Sequence, residues 1–309
     1  MAESADPDLP RGIALAWGIA AHPQRGPKRE MSVERIVEAA IAIADAEGLG
    51  AVSMAAVAAR LGYTPMSLYR YVSAKDDLIL LMLEEATGLP SDEVRTIANW
   101  REGMELLYHE MLQRYLQHPW MLDVPINGTA TTPSTAAWMD AGLHALAGTG
   151  LTPLEKISIV LLVTGHARWA GTVEAGYTRL QRDAGLSDDE LAARENALFQ
   201  LLVTADAYPD LRNAVDSGVF LDQGDPFGLG LARCLDGIDS YIAAVETGRR
   251  DEPRPWSGLE DAEIADDRRF REAQKAVRAA ERALREARKL ERQAAREARE
   301  RLARNRSEN

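Results

Sequence analysis

The stretch over residues 53–78 constrains the fold more than any other part of the chain, because it contains repeated signals for the start and end of short helices. Ser53 is a favourable N-cap for a helix over 54–61, since its hydroxyl can accept a hydrogen bond from the first turn. Gly62 can adopt the left-handed conformation that ends a helix. The sequence therefore predicts a first short helix that stops at a tight turn.

Two more helices are predicted directly after this turn. Thr64 supplies a capping hydroxyl, and Pro65 suits the first position of a helix. Ser73 to Asp76 has the spacing of a capping box, which would open the third helix. Two short helices joined by a turn that contains glycine form a helix-turn-helix unit, whose second helix can enter the major groove of DNA.

The second helix has side chains that suit contact with DNA. Its hydroxyl, guanidinium and aromatic groups belong to Thr64, Ser67, Tyr69, Arg70 and Tyr71. Lys75, at the next helix start, is placed to meet a phosphate. Three apolar residues are expected to anchor the helix to its neighbours: Met66, Leu68 and Val72. The alternative is an ordinary core helix with a few polar residues outside, because generic helix-turn-helix patterns are weak signals.

The particular residues favour the first interpretation. Leu61-Gly62, Leu68-Tyr69-Arg70-Tyr71-Val72 and Lys75-Asp76-Asp77-Leu78 resemble the TetR family of bacterial transcriptional regulators. The resemblance spans residues 31–85. It implies that Ser67 and Arg70 face bases. It also implies that Tyr69, Tyr71 and Lys75 hold the DNA backbone, with Thr64 and Pro65 opening the recognition helix.

Charge is distributed unevenly along the 309 residues. The net charge is −12, yet residues 268–309 hold 15 Lys and Arg against 7 Asp and Glu, a balance of +8. An acidic body is compatible with DNA binding, because only the docking face must be basic. The single cysteine, Cys234, excludes an internal disulfide and favours a reducing cytoplasm.

The first 31 residues are rich in proline, glycine and small residues, so we expect a largely disordered arm. Residues 13–21 faintly resemble the apolar part of a signal peptide, but the preceding residues are acidic, which argues against secretion. The basic residues Arg25, Lys28 and Arg29 precede the first long helix and could enter the minor groove. A solvated leader is the alternative.

Residues 91–247 are predicted to be helical throughout, with helix starts near 153 and 188 at two further capping boxes. An apolar seam with three- and four-residue spacing lies near the end of this region and consists of Leu231, Leu235, Ile238, Ile242 and Val245. The seam suits either a partner helix or the core of the same chain. The family resemblance favours a homodimer, in which helices over about 153–177 and 226–246 form a four-helix bundle.

Two short sequences, His118-Pro119-Trp120 and Asp225-Pro226-Phe227-Gly228, resemble the tetracycline-repressor type of C-terminal domain, although more loosely. Aromatic and histidine residues among these helices are candidates for a small-molecule pocket: Trp100, Tyr108, Trp120, Trp138, His144, His166 and Trp169. The alternative is that each is an ordinary core or surface residue. His166 and Trp169 are the first choices, because they interrupt the apolar central helix.

No motif indicates catalysis, a metal site or a cofactor. The chain lacks a nucleophile elbow and a P-loop, and its histidines lack the spacing of a zinc helix. The last region divides into a linker over 248–266 and a charged helix over 267–309. Alanine repeats every seven residues in this helix, but the seam is too thin for a strong coiled coil. A solvated helix and a tail that attracts DNA are both open.

We therefore expect an all-α chain with five segments: a flexible arm over 1–31, a DNA-binding domain over 32–90, a ligand-binding and dimerisation domain over 91–247, the linker and the tail. The expected function is a cytoplasmic, homodimeric regulator, most simply a repressor, that leaves a palindromic operator when a small hydrophobic ligand binds. The alternatives are a helical carrier or enzyme and a sequence-independent architectural DNA binder.

Overall fold

The computed structural model describes residues 9–19, 31–126, 128, 131–222, 224–250, 264 and 266–307. The chain divides into two compact units, Met1–Arg249 and Arg250–Asn309. All the regular elements in the described residues are helical, which confirms the all-α prediction.

The N-terminal part of the first unit is a small helical cluster built by α2 (Val33–Glu47), α3 (Met54–Leu61), α4 (Pro65–Leu68) and α5 (Lys75–Thr87). One face of each helix contributes to a shared core, in which Ile36, Val57 and Leu78 are fully buried. Ser53 caps α3 as predicted, since its hydroxyl accepts from the Ala56 N–H at 3.1 Å. Gly62 ends α3 with a left-handed backbone at φ 75°.

The start of the third helix differs from the sequence prediction. Ala74 is the N-cap of α5 and no side chain caps it, so the predicted capping box at Ser73 is wrong. The Ser73 hydroxyl instead donates to the Asp77 carboxylate at 2.5 Å. Asp77 also accepts from the backbone N–H of Gly12 at 3.0 Å, so one acidic side chain joins two segments that are distant in sequence.

The expectation of a largely disordered N-terminal arm is also wrong for residues 9–19. A short helix, α1 (Arg11–Ala16), packs along α5 and buries Leu15. The approach is close at Gly12, where an added Cβ would lie 2.8 Å from the Asp77 carboxylate oxygen. The Trp17 indole then donates to the carbonyl of Thr131 at 2.7 Å. The apolar run that resembled a signal peptide is therefore partly a packed helix.

The larger part of the first unit follows α5. Its helices are α6 (Glu93–Thr96), α7 (Trp100–Gln117), α8 (Pro133–Ala145), α9 (Pro153–Ala184), α10 (Asp188–Leu202), α11 (Pro209–Asp216) and α12 (Pro226–Glu246). The chain breaks between α6 and α7, because α6 ends at Thr96 and Asn99 caps α7. The two predicted capping boxes open α9 and α10, at Thr152 and Ser187.

Helices α7 and α9 form the centre of a second hydrophobic cluster, with α8 and α12 packed around them. Helices α9 and α12 run antiparallel. Near the end of α12, the Tyr241 hydroxyl donates a hydrogen bond of 2.6 Å to the carboxylate of Glu155, which lies at the start of α9. Farther along α9, His166 Nε2 lies 2.8 Å from the Phe227 carbonyl at the start of α12.

Several polar contacts join the two clusters of the first unit. Glu84 of α5 accepts from the backbone N–H of Ser134 at 2.8 Å and from its hydroxyl at 2.5 Å, at the start of α8. Asp45 of α2 accepts from the Trp120 indole at 2.8 Å. Helix α5 therefore belongs to the N-terminal cluster and also contacts the start of α8.

The second unit contains one long helix, α13 (Arg268–Ser307), close to the range predicted for the charged tail. It consists largely of alanine, arginine and glutamate, which favour helix through their low entropic cost and their pairs at four-residue spacing. One such pair is present between Arg268 and Glu272, with an N···O distance of 3.2 Å.

Candidate DNA-binding surface and ligand site

The helix-turn-helix presents α4 on a firm support. Leu68 and Val72 are fully buried and hold the segment against the N-terminal core, as expected. Thr64 is the N-cap of α4, but its hydroxyl lies 3.3 Å from the Ser67 hydroxyl and does not cap a backbone N–H. Regular helix ends at Leu68, so Tyr69, Arg70 and Tyr71 occupy the turn that follows, where two backbone bonds to the Leu68 carbonyl continue the helical path.

Most of the predicted DNA-binding side chains lie on one accessible segment. Thr64, Pro65, Tyr69, Arg70 and Lys75 are exposed, while Ser67 and Tyr71 are half-buried. Within the described residues, neither the Arg70 nor the Lys75 side chain makes an ion pair or hydrogen bond. Two cationic groups beside a supported short helix are therefore available to an external anion, such as a phosphate, or to a base edge.

Two residues of this surface were not predicted. Met66 is 72% exposed, so it does not anchor α4 to its neighbours as expected. Its side chain offers an apolar contact beside the polar ones. Arg60 is exposed in the last turn of α3, next to the turn at Gly62. The positive charge of Arg60 could have indicated a contact with DNA. The sequence of α3 did not show, however, which face of the helix would be exposed to solvent. The predicted arm residues Arg25, Lys28 and Arg29 lie outside the described residues.

The seven predicted ligand residues lie in several different places among the described residues. Tyr108 and His166 are brought together, with ring centroids 5.5 Å apart and planes at 27°. Trp120 and Trp138 are buried, and their indoles donate to the Asp45 carboxylate and the Gly88 carbonyl. Both tryptophans therefore hold the two helical clusters together.

The other three predicted ligand residues lie elsewhere. Trp100 is half-buried at the start of α7 and lines shallow depressions beside α12. His144 is exposed near the end of α8. Trp169 is 60% exposed on α9, which is unsuitable for the wall of an enclosed pocket in the protomer. His166 and Trp169, the first choices for ligand contact, thus differ in exposure, and their roles stay predictions.

A cavity of 520 Å³ lies at the junction between α5 and the C-terminal helices. Its apolar lining includes Leu80, Leu83, Tyr115 and Met121, and its polar lining includes Thr135 and Arg168. The pKa of the Tyr115 hydroxyl is raised, because the effect of burial exceeds the opposite effect of the nearby Arg168 guanidinium. The volume falls within the range of small-molecule sites.

Arg168 positions one wall of this junction cavity. Its guanidinium donates to the carbonyls of Leu122 and Val124 at 3.0 and 2.9 Å, and it also lies 5.9 Å from the Tyr115 ring centroid. These contacts attach the segment after α7 to α9. The cavity therefore has a fixed side on α9 and a side on α5, the helix that continues into the DNA-binding cluster.

The predicted dimer seam is part of the core of the protomer. Leu231, Leu235 and Ile242 are buried, with exposures of 4%, 0% and 7%, and Ile238 and Val245 pack against the same cluster. Leu231, Leu235 and Ile242 therefore face the core of the same protomer, which favours the second alternative of the sequence analysis for these three residues. Ile238 and Val245 are half-buried, and their part in a dimer stays a prediction.

The outer faces of α9 and α12 are apolar and accessible. On α9, Leu161, Leu162 and Trp169 are 53%, 47% and 60% exposed, and on α12 Leu229 is 64% exposed. Gly165 lies between Leu162 and Trp169 on α9, and Gly237 lies on α12, and a Cβ added to either glycine would meet no other atom within 4 Å. This surface has the large side chains and the close-approach positions that a helix-packing interface needs.

The described residues offer no group of three or more His, Cys, Asp or Glu side chains arranged for a metal ion. Within the same residues, no helix is long and apolar enough to cross a membrane.

Comparison with known proteins agrees with this geometry. The family model described as "Bacterial regulatory proteins, tetR family" matches residues 36–82, and "Tetracyclin repressor-like, C-terminal domain" matches residues 95–242. The HTH-type transcriptional repressor DrrR1 of Streptomyces coeruleorubidus is 34% identical over 250 residues, covering 80% of this chain and 90% of that protein. A regulator from Saccharopolyspora erythraea is 27% identical over 168 residues, covering 53% and 71%.

Solved structures share the fold at lower identity. Apo ActR from Streptomyces coelicolor has a TM-score of 0.56 and 21% identity, covering 70% of this chain and 99% of that one. ActR in complex with actinorhodin has a TM-score of 0.52 and 22% identity, covering 69% and 96%. The two family models match residues 36–82 and 95–242, so neither of them covers α1 or α13.

Proposed function

This chain belongs to the TetR family and is a DNA-binding transcriptional regulator, and from that premise we propose that it is a homodimeric repressor released from its operator by a small hydrophobic ligand. The observation that carries the proposal is the supported, exposed α4 segment with unpaired cations at Arg70 and Lys75. The proposed place of action is the cytoplasm. Regulators of this family are generally not enzymes.

The DNA contacts are divided between specificity and positioning. Arg70 is the proposed base-reading residue, because a guanidinium can bond two acceptors on a guanine. Ser67 lies beside it on α4, and exposed Met66 adds an apolar contact to the same surface. Tyr69, Tyr71 and Lys75 are proposed to hold phosphates, with Thr64 and Pro65 fixing the start of the segment. Phosphate contacts set orientation and carry no base sequence directly.

The second protomer is proposed to pack on the outer faces of α9 and α12. These faces expose Leu161, Leu162, Trp169 and Leu229, whereas the inner seam of α12 is already buried. A two-fold dimer would place two α4 segments on one side of the assembly. To read successive major grooves, they must lie about 34–36 Å apart. The operator is therefore proposed to be palindromic.

The proposed ligand occupies the junction cavity between α5 and α9. A molecule that fills 520 Å³ between these helices would favour one position of α5 over another. The ligand can change the affinity for DNA only by as much as its own affinity differs between the two positions of α5. The structure of ActR with actinorhodin, a likeness of the same fold, supports a small-molecule role for this type of C-terminal domain.

The test is the selection of bound sequences from random double-stranded DNA by the full chain. We expect enrichment of one palindromic site with two half-sites. Arg70→Ala should cost about 1–3 kcal/mol on this site and relax preference at one base pair of each half-site. Lys75→Ala should weaken all sequences alike and reduce the salt slope by about one counterion.

Arg182→Ala is the matched control, because it removes an exposed cation from the end of α9, away from α4. It should leave the selected site and its affinity unchanged. Failure to enrich any sequence would contradict the proposed regulator. Equal losses for Arg70→Ala on selected and random DNA would contradict the proposed division of roles.

A further inference from the structure

A second polar site lies where α7, α9 and the start of α12 meet, apart from the junction cavity. Tyr108 of α7 is 2% exposed and stacks on His166 of α9. His166 Nε2 is 2.8 Å from the Phe227 carbonyl, and its ring centroid is 6.0 Å from that of Phe227. His166 and Arg168 are two positions apart, so their side chains leave α9 about 200° apart. The two sites therefore lie on opposite sides of α9.

Three acidic or hydroxyl groups of this second site have no cationic partner among the described residues. Within the same residues the Tyr108 hydroxyl makes no hydrogen bond, although its side chain is almost completely buried. The half-buried Glu174 carboxylate, two turns after His166, makes neither a hydrogen bond nor an ion pair. Asp225 caps α12 by accepting from the Gly228 N–H at 2.8 Å, and its charge has no counterion.

These groups also act on one another electrostatically. Burial, followed by the charges of Asp225 and Glu174, raises the pKa of the Tyr108 hydroxyl to about 12. Burial and then the Asp225 charge raise the pKa of Glu174 above its ordinary value. A partly buried carboxylate is costly without a counterion. The negative charges of this site therefore favour a positively charged ligand, and the neighbouring side chains are aromatic.

We propose that Tyr108, Glu174 and Asp225 bind the protonated amine of a flat aromatic ligand. An ammonium group can donate to both carboxylates and to the Tyr108 hydroxyl oxygen. The rings of Tyr108, His166 and Phe227 offer apolar contact, and the tyrosine and phenylalanine faces also attract a cation. The site is distinct from the junction cavity, so it adds a cation-selective site to the proposed regulator.

The experiment uses the full chain without DNA and two probes of nearly the same shape. 9-Aminoacridine is protonated on its ring nitrogen at neutral pH and shares the positive charge with its exocyclic NH2 group, whose N–H bonds can donate to the carboxylates, whereas acridine is neutral. Fluorescence titration should give tighter binding of the cation by about tenfold or more, in keeping with the strength of close charge pairs. Glu174→Gln should remove most of this difference. Asp225→Asn should reduce it while keeping the cap, because an asparagine oxygen can also accept from Gly228.

A matched control addresses the general attraction of a cation to an acidic protein. Asp183→Asn removes the same charge from an exposed position on the same helix. It should leave the affinity for 9-aminoacridine unchanged. Tyr108→Phe, which removes only the hydroxyl, should weaken the binding of 9-aminoacridine and leave the binding of acridine unchanged. Thermal melting checks that each variant is folded.

The proposal is overturned if acridine and 9-aminoacridine bind alike, or if Glu174→Gln and Asp183→Asn have equal effects. A chain that enriches a palindromic operator but fails this test retains the proposed regulatory function without the amine site. A chain that passes this test but enriches no DNA retains the amine site alone.

Discussion

Helices α12 and α13 both carry apolar residues at repeating positions, but those of α12 are mostly buried, whereas three large ones in the described part of α13 are exposed. In α12, Leu231, Leu235 and Ile242 are buried in the core of the protomer. In α13, Val277, Leu284 and Leu290 are 57%, 51% and 66% exposed, and the alanines between them add little apolar area. Regular spacing is common to both helices, but the size of the side chains differs.

The difference shows that two separate sources can maintain a helix. Helix α12 is held mainly by apolar area removed from water, since a fully buried leucine contributes about 1.5–3 kcal/mol. Helix α13 relies on the local preferences of alanine, arginine and glutamate and on pairs such as Arg268 with Glu272. The stability of α12 is therefore lost when a substitution leaves a cavity in the core. The stability of α13 is lost when a substitution changes a charge or lowers the helix propensity.

The largest expected effect comes from truncating the buried seam. Leu235→Ala should lower the free energy of unfolding by about 2–5 kcal/mol, because the fully buried leucine leaves a cavity. Leu284→Ala removes the same atoms from an exposed position and should change it by less than about 0.5 kcal/mol. Thermal and urea unfolding of both variants measure the contrast. Equal losses would indicate that α13 also has a packed apolar face.

The second prediction separates the inner and outer faces of α12 and its neighbour α9. Trp169→Ala should weaken the proposed dimer by about 2–4 kcal/mol, as expected for a large aromatic residue at an interface. Sedimentation over a range of protein concentrations measures the dissociation. Leu198→Ala, which removes an exposed leucine from α10, is the control and should leave the dimer intact. A dimer that tolerates Trp169→Ala contradicts the proposed interface.

The third prediction concerns the function of the basic helix α13. Deletion of residues 266–309 should leave a folded dimer with the same base preference, because the DNA-reading α4 is retained. Operator affinity at low salt should fall about tenfold, and the salt dependence should flatten, since fewer counterions are released. Fluorescence anisotropy at several salt concentrations measures both. Equal or tighter binding would favour attraction of the basic tail to the acidic body, and a monomeric product would refute both roles.

The smallest expected effect is a local one in α13. Glu272→Gln breaks the pair with Arg268 and should destabilise that part of the helix by about 0.2–0.5 kcal/mol. Amide hydrogen exchange over residues 268–276 should become faster at low salt. At high salt, where screening already weakens the exposed pair, the variant and the parent should exchange alike. Loss of exchange protection along the whole of α13 would show that the pair is more than a local contact.

Local signals in the sequence were sufficient for the helix-turn-helix and its family. Ser53, Gly62 and the capping boxes at Thr152 and Ser187 act through bonds a few residues away, so their effects can be read from the sequence. The family assignment and the all-α fold are confirmed by the comparisons. The domain limits and the functional residues remain predictions.

Errors arose where a distant part of the chain determined the outcome. Ser73 was predicted to cap α5, but its hydroxyl bonds Asp77, which is also bonded by Gly12. Spacing alone could not decide whether the α12 seam faces a second chain or α9 of the same chain. It also could not decide which way Trp169 faces, because an aromatic residue in an apolar helix has the same sequence pattern in both cases.

The packing of α1 on α5 bears on how portable the DNA-binding module is. The family match begins at residue 36, so a chimera designed on that match would omit residues 9–19. It would leave Asp77 without the Gly12 N–H, expose the surface that Leu15 covers and lose the Trp17 contact with Thr131. In this protein, a transplantable module must therefore begin before α1, even though the motif that names the module begins more than twenty residues later.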